Sequence, residues 1–213
     1  MSYAARTKYD EPGRADRYGR RSPKRDEEEW RLLERLLARL DPAPRAALDV
    51  PCGTGRVAER LIQAGIPTQA ADLSPAMRAA CEERLAGREG FRGVVPADLE
   101  AETPAVALRA DLVVCFRFLH HLPDAAARGR VLRGLAALTG RDLLLSFHHP
   151  VSAHQLQRLF RRVFTGRRSD RYVISPRRLE AEARAAGLAL VETVALGAWR
   201  RELWIGRFRP LGA

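Results

Sequence analysis

Long apolar runs are missing from this chain. No segment approaches the roughly 20 uninterrupted apolar residues that a membrane helix needs. The N-terminal stretch is charged and has no apolar h-region, so no secretory leader is expected. Cysteine is scarce: Cys52, Cys81 and Cys115 are the three present, an odd set without metal-ligand spacing. That points away from a disulfide framework or a zinc site and towards reduced thiols in a cytoplasmic protein. Lysine is rarer still. Lys8 and Lys24 are the only two, and arginine supplies the rest of the 37 basic residues. There is no internal repeat and no low-complexity block beyond an Arg/Ala bias.

What is present suits one domain. The 213 residues are enough for a full α/β core, and a hydrophobic content of 46% is that of a globular chain. The formal charge of +11 is large for this size. Such a charge serves nucleic acid, anionic lipid headgroups or an anionic small substrate, or it reflects compositional drift.

Residues 1–25 are polar and arginine-rich, with Pro12, Gly13, Gly19 and Pro23, which reads as a flexible arm ahead of a domain spanning 26–213. A helix is expected from Asp26 to Leu40. Its Trp30, Leu33, Leu36, Leu37 and Leu40 fall at helical spacing, acids crowd its first turn, and Pro42 and Pro44 follow its end. Strands and helices then alternate. Strands are predicted at Ala46–Val50, Thr68–Asp72, Phe91–Val95, Asp111–Phe116 and Asp142–Phe147. Helices are predicted at Arg56–Ala64, Pro75–Leu85 and Ala125–Leu138. Short apolar runs bounded by turn residues are those of strands covered on both faces, and the alternation argues a parallel sheet between helices. Ser175-Pro176 opens a last helix that should stop at Gly187. Leu188–Leu196 and Arg201–Phe208 then form a hairpin about Gly197-Ala198.

The run Leu48-Asp49-Val50-Pro51-Cys52-Gly53-Thr54-Gly55-Arg56 reads as a buried strand breaking into a glycine turn and opening a helix. Asp72 follows Asp49 by 23 residues and ends the next strand, which is the layout of a nucleotide-binding βαβ unit. The dinucleotide fingerprint is incomplete. Pro51 occupies the place of the first glycine, and Arg56-Val57-Ala58 supplies no third one, so a pyrophosphate cradle is disfavoured.

The order Asp-x-x-x-Gly-x-Gly instead resembles the class I S-adenosylmethionine-dependent methyltransferases. So do Ala97-Asp98-Leu99 after the third strand and the strand that runs into Phe118-Leu119-His120-His121-Leu122-Pro123-Asp124. The resemblance covers about Asp26 to Arg209. It implies an α/β, Rossmann-like fold: a seven-stranded, mostly parallel sheet with helices on both faces and a C-terminal antiparallel hairpin. It also implies S-adenosylmethionine as cofactor. By that resemblance Asp49, Pro51, Gly53 and Gly55 form the loop for the methionine part. Asp72 holds the ribose hydroxyls, with Leu73 and Met77 beside the adenine. Asp98 and Leu99 make the adenine contact, and Phe116 and Arg117 sit at the methionine end. In the arm, Tyr18 and Arg21 lie where related enzymes close a lid, with Arg21 expected on the methionine carboxylate.

All five histidines lie between His120 and His154, near two strand ends. Histidine titrates near neutral pH, so His121 or His149 is the expected base towards the acceptor. Adjacent His-His pairs on turns match metal ligation poorly, and no metal is expected. Residues 150–173 form a basic insertion: Leu156, Leu159, Phe160, Val163 and Phe164 recur at helical spacing among arginines that include Arg161 and Arg162. The expected acceptor is a small, anionic molecule offering a hydroxyl, amine or carboxylate. RNA is the alternative acceptor, an anionic membrane surface an alternative partner, and a non-catalytic cofactor-binding protein the alternative class. Against RNA, the chain has no Asn/Asp-Pro-Pro-aromatic or catalytic-cysteine signature and no aromatic-and-basic stacking platform.

Overall fold

The run Leu112, Val113, Val114 and Cys115 shows why this chain builds a sheet covered on both faces. Side chains alternate along a strand. Leu112 and Val114 pack with Leu33 and Leu36 on one side, and Val113 and Cys115 pack with Leu132 and Leu135 on the other. All four strand residues are fully buried. Burying each apolar side chain contributes about 1.5–3 kcal/mol, so both faces hold the sheet in register.

The computed structural model describes residues 23–101, 109–151, 172–195 and 203–212. The order is α1 Pro23–Leu37, β1 Ala47–Asp49, α2 Arg56–Gln63, β2 Thr68–Asp72, α3 Pro75–Leu85, β3 Phe91–Pro96, β4 Ala110–Cys115, α4 Ala125–Leu138, β5 Thr139–His148, α5 Pro176–Ala185, β6 Leu188–Ala195 and β7 Leu203–Pro210. A single 3₁₀ turn, Leu119–His121, follows β4. The strands form one seven-stranded sheet in the order β3-β2-β1-β4-β5-β7-β6. Strands β1 to β5 pair in parallel, and β7 is antiparallel to both β5 and β6. Among the described residues, no helix is long and apolar enough to cross a membrane.

Local chemistry sets the helix ends. Ser74, Asp124 and Ser175 are N-caps whose side chains accept from the amides of Met77, Ala127 and Arg178. Gly187 takes φ of 88° just past α5, the left-handed position that glycine fills most easily. Buried charge fixes β7. Asp142, fully buried on β5, accepts from Arg207 Nε at 2.8 Å and from Arg209 Nε at 3.0 Å.

Several boundaries differ from the expected ones. Helix α1 begins three residues earlier, at Pro23, and ends at Leu37. Strand β5 is longer at both ends than Asp142–Phe147. It leaves α4 with no loop between them, because Thr139 is both the cap of α4 and the partner of Ala110. At its far end His148 continues the pairing opposite Leu203. The turn at Gly197-Ala198, Tyr18, Arg21, His154 and residues 152–171 of the basic insertion lie outside the described residues.

Candidate active site

Strand order reverses between β1 and β4, and there a cavity of about 110 Å³ opens over the carboxyl ends of β1 to β4. Asp49, Pro51 and Gly53 line it from the first loop. Asp72, Leu73 and Met77 line it from the second strand end, Asp98 and Leu99 from the third, Phe116 and Arg117 from the fourth. The fold therefore brings together ten of the expected cofactor residues.

Gly55 belongs to the loop but not to the cavity wall. It is the N-cap of α2, with φ of 77°, and has no side chain to cap with. Asp49 does the capping from the end of β1: its Oδ2 accepts from the Ala58 amide at 3.0 Å. A Cβ on Gly55 would lie 2.8 Å from Cys81 Sγ, so this glycine lets the loop sit against α3. Gly53 is different. Its φ is 53°, and a Cβ there would meet nothing within 4 Å. The space beside it is the cavity.

Asp72 locks the loop to the second strand. Its Oδ2 accepts from the Gly53 amide at 2.8 Å and its Oδ1 from the Ser74 amide at 2.9 Å. A carboxylate is an acceptor-only group, and Asp72 presents one at the cavity wall. Asp98 Oδ1 accepts from the Glu100 amide at 3.0 Å and orders the third loop. Leu73 is 38% exposed, a large apolar side chain left open at the cavity edge.

The buried carboxylate of Asp49 is shifted strongly. Burial pushes its pKa up to about 8, the Ala58 amide opposes the rise, and the charge of Asp72 adds to it. Asp49 Oδ1 and Thr54 Oγ1 are buried without a hydrogen-bond partner among the described residues. Both residues line the cavity, and such atoms are the kind a bound ligand or water satisfies. Cys52 also lines it, but a hydrogen bond with Cys81 and burial push its thiol far up. A thiol held neutral is a poor nucleophile.

Arg117 has φ of 58°, the one non-glycine residue with positive φ among those described. Its amide donates to Ser146 Oγ at 2.6 Å, and its guanidinium forms a buried ion pair with Glu29 of α1. The other arginine in the wall, Arg56, pairs with Asp26 of α1 at 2.5 Å.

The histidines divide. His121 is half-buried in the cavity wall, beside Phe116 and Phe118. His120 and His148 are buried and stacked, ring centroids 4.3 Å apart. His149 stacks on Trp204 at 4.5 Å, with Nδ1 3.0 Å from the Val151 carbonyl oxygen, and does not line the cavity. Sequence reasoning singled out neither Glu29 nor Asp26, because nothing in a helix of acids says which arginine each will meet. Phe118, Ser74 and Arg56 stood inside the recognised motifs and carried a signal that was not used.

A family model described as a methyltransferase domain matches residues 48–142. The ubiquinone biosynthesis O-methyltransferase of Xanthomonas axonopodis pv. citri (strain 306) is 32% identical over 168 residues, covering 74% of this chain and 68% of that protein. Its namesake from Methylococcus capsulatus is 28% identical over 172 residues, covering 78% and 72%. Among solved structures, magnesium protoporphyrin IX methyltransferase from Synechocystis PCC 6803 with bound SAH is similar in fold. Its TM-score is 0.77 at 19% identity, over 97% of this chain and 98% of that one. The CcbJ methyltransferase from Streptomyces caelestis gives a TM-score of 0.68 at 19% identity, over 96% and 98%.

Proposed function

The chain belongs to the class I S-adenosylmethionine-dependent methyltransferases, and from that we propose that it methylates a hydroxyl oxygen of a small acceptor, with His121 taking the hydroxyl proton. The observation that carries this reading is the place of His121 in the cleft wall beside two phenylalanines. Oxygen as the acceptor atom is supported by the relatives, which are named O-methyltransferases.

The residues present fit the cofactor. Gly53 leaves open space, Asp72 puts a carboxylate acceptor in the wall for the ribose hydroxyls, and Leu73, Met77 and Leu99 give apolar walls on which Asp98 would meet the adenine amino group. S-adenosylmethionine, when bound, supplies a methyl group already activated by the positive sulfonium. The chain must then orient the acceptor, exclude water and accept one proton. Phe116 and Phe118 exclude water, and Phe118 offers a flat face to an aromatic acceptor. Neutral imidazole at His121 is the proton acceptor. His149 is the second choice, because it does not line the cleft.

Three finer parts belong to the same reading. Tyr18 and Arg21 in the arm of residues 1–25 close over the cofactor. The arginines of 150–173 favour an anionic acceptor over RNA. The unpaired thiols of Cys52, Cys81 and Cys115 suit the cytoplasm.

The test is product analysis. Purified protein with S-adenosylmethionine and a panel of phenolic and catecholic acceptors should yield methyl ethers, identified by mass spectrometry. His121→Ala should lower kcat by about 10²–10⁴ with cofactor affinity nearly unchanged. An unchanged kcat removes His121 from this role, and methylation confined to amines overturns the hydroxyl.

A further inference from the structure

Two arginines line the cleft among the described residues, Arg56 and Arg117, and both are tied to the same short stretch of α1. Asp26 takes Arg56 and Glu29 takes Arg117. The two acids are three residues apart, so they share one face of the helix. The Arg117–Glu29 side chains are 4% and 6% exposed, and the Arg56–Asp26 side chains 19% and 26%. We propose that Asp26 and Glu29 act as a charge shield: they neutralise the cleft's two arginines so that the cleft accepts a cationic sulfonium in preference to the neutral thioether.

The argument rests on the reading that the cofactor occupies this cleft. A guanidinium in a site of low dielectric repels a nearby cation over several ångströms, and an adjacent carboxylate cancels most of that field. The rest of the wall is already suited to a cation, since Asp72 and Asp98 line it. Without Asp26 and Glu29, two positive charges would oppose those acids. The acids that decide which cofactor form binds would then stand on a helix that does not line the cleft. Preference for the sulfonium over the thioether product also limits inhibition by product, which is a plain advantage for turnover.

S-adenosylmethionine and S-adenosylhomocysteine differ by one methyl group and one positive charge. The ratio of their dissociation constants therefore isolates the effect of charge from any general damage to the site. Glu29→Gln keeps the shape and an acceptor for Arg117 but removes the charge. Calorimetry should show S-adenosylmethionine binding weakened about tenfold and S-adenosylhomocysteine changed by no more than about twofold. The double variant Glu29→Gln/Arg117→Met should restore the ratio, because it removes the stranded cation. Asp26→Asn, at the more exposed pair, should move the ratio the same way by about threefold, and it serves if the buried variant does not fold. Equal weakening of both ligands would make the acids structural and sink the shield. So would an unchanged ratio in both single variants. Asp72→Ala separates the two levels of the argument. If it leaves both ligands binding as before, the cofactor is not in this cleft and the shield falls with that reading. If it weakens both while the Glu29 and Asp26 variants keep the native ratio, only the shield is overturned.

Discussion

Gly53 and Gly55 stand two residues apart in the cleft loop, yet an added methyl group meets different surroundings at each. At Gly55 the Cβ would press on Cys81 Sγ at 2.8 Å and Leu85 Cδ1 at 3.2 Å, with φ at 77°. At Gly53 only the left-handed backbone is strained, by about 1–2 kcal/mol. Gly55→Ala should therefore cost more stability than Gly53→Ala, by about 1–3 kcal/mol in denaturant unfolding. Gly53→Ala should instead weaken cofactor binding in a protein that still folds. Equal losses of stability would contradict this division. Asp49 carries a second residue-scale consequence. An acid whose pKa rises on folding, here to about 8, binds its proton more tightly in the folded state. The folded protein then holds more protons than the unfolded chain from about pH 4 upward, so this group's contribution falls as pH rises towards 8. Asp49→Asn should flatten that decline while an amide oxygen still caps Ala58. Melting temperatures between pH 5 and pH 8 check it, and an unchanged slope would exclude Asp49 as the source.

Among the elements, α4 is seated against the third loop through Gly134. A Cβ there would lie 2.8 Å from the Leu99 carbonyl oxygen. Replacing a helical glycine by alanine ordinarily stabilises a helix by about 1 kcal/mol. Here the sign should reverse. Gly134→Ala should destabilise the fold by about 1–3 kcal/mol and also weaken cofactor binding, because the displaced segment carries Asp98 and Leu99. A more stable variant with native affinity would show that the loop yields freely. This contact marks the limit of what the sequence discloses. Strand β2 was legible to the residue, Thr68–Asp72, because turn residues bound it, Gly65 and Pro67 before and Ser74-Pro75 after. The residues over the strand ends were legible for a similar reason: each loop's motif is continuous in the chain. Gly134 against Leu99, Glu29 on Arg117 and the stack of His120 on His148 join segments far apart in sequence. No periodicity or propensity encodes such pairs; they follow only once the sheet order sets which helix lies over which loop. The left-handed backbone of Arg117 was equally hidden, since arginine carries no local signal for it.

For the whole molecule the open question is what +11 of charge is for. Many of the described arginines are spent internally: on Asp26 and Glu29 beside the cleft, on Asp142 under β7, and on Glu182 between α4 and α5. The arginines of residues 150–173 are one remaining concentration, and those of residues 1–25 are another. Reversing Arg161 and Arg162 to Glu should cut turnover at least about tenfold with cofactor affinity nearly intact, if they recognise an anionic acceptor. Salt-dependent RNA binding whose slope flattens in that variant would assign the charge to nucleic acid instead. Native turnover would assign it to drift, since isolated surface charges contribute only about 0–1 kcal/mol.

The position of β7 has a consequence for how the polypeptide is made. It follows β6 in the chain but lies between β5 and β6 in the sheet. A nascent chain that has emerged only as far as β6 therefore has no neighbour for that strand, and β5 presents an open edge of unpaired amides and carbonyls. Ribosome-bound intermediates of this length are the ones most exposed to strand pairing between chains. Synthesis of Leu203–Pro210 covers the edge of β5 and gives β6 its strand neighbour. Truncation or stalling just before Leu203 should therefore yield insoluble protein rather than a shortened but active one.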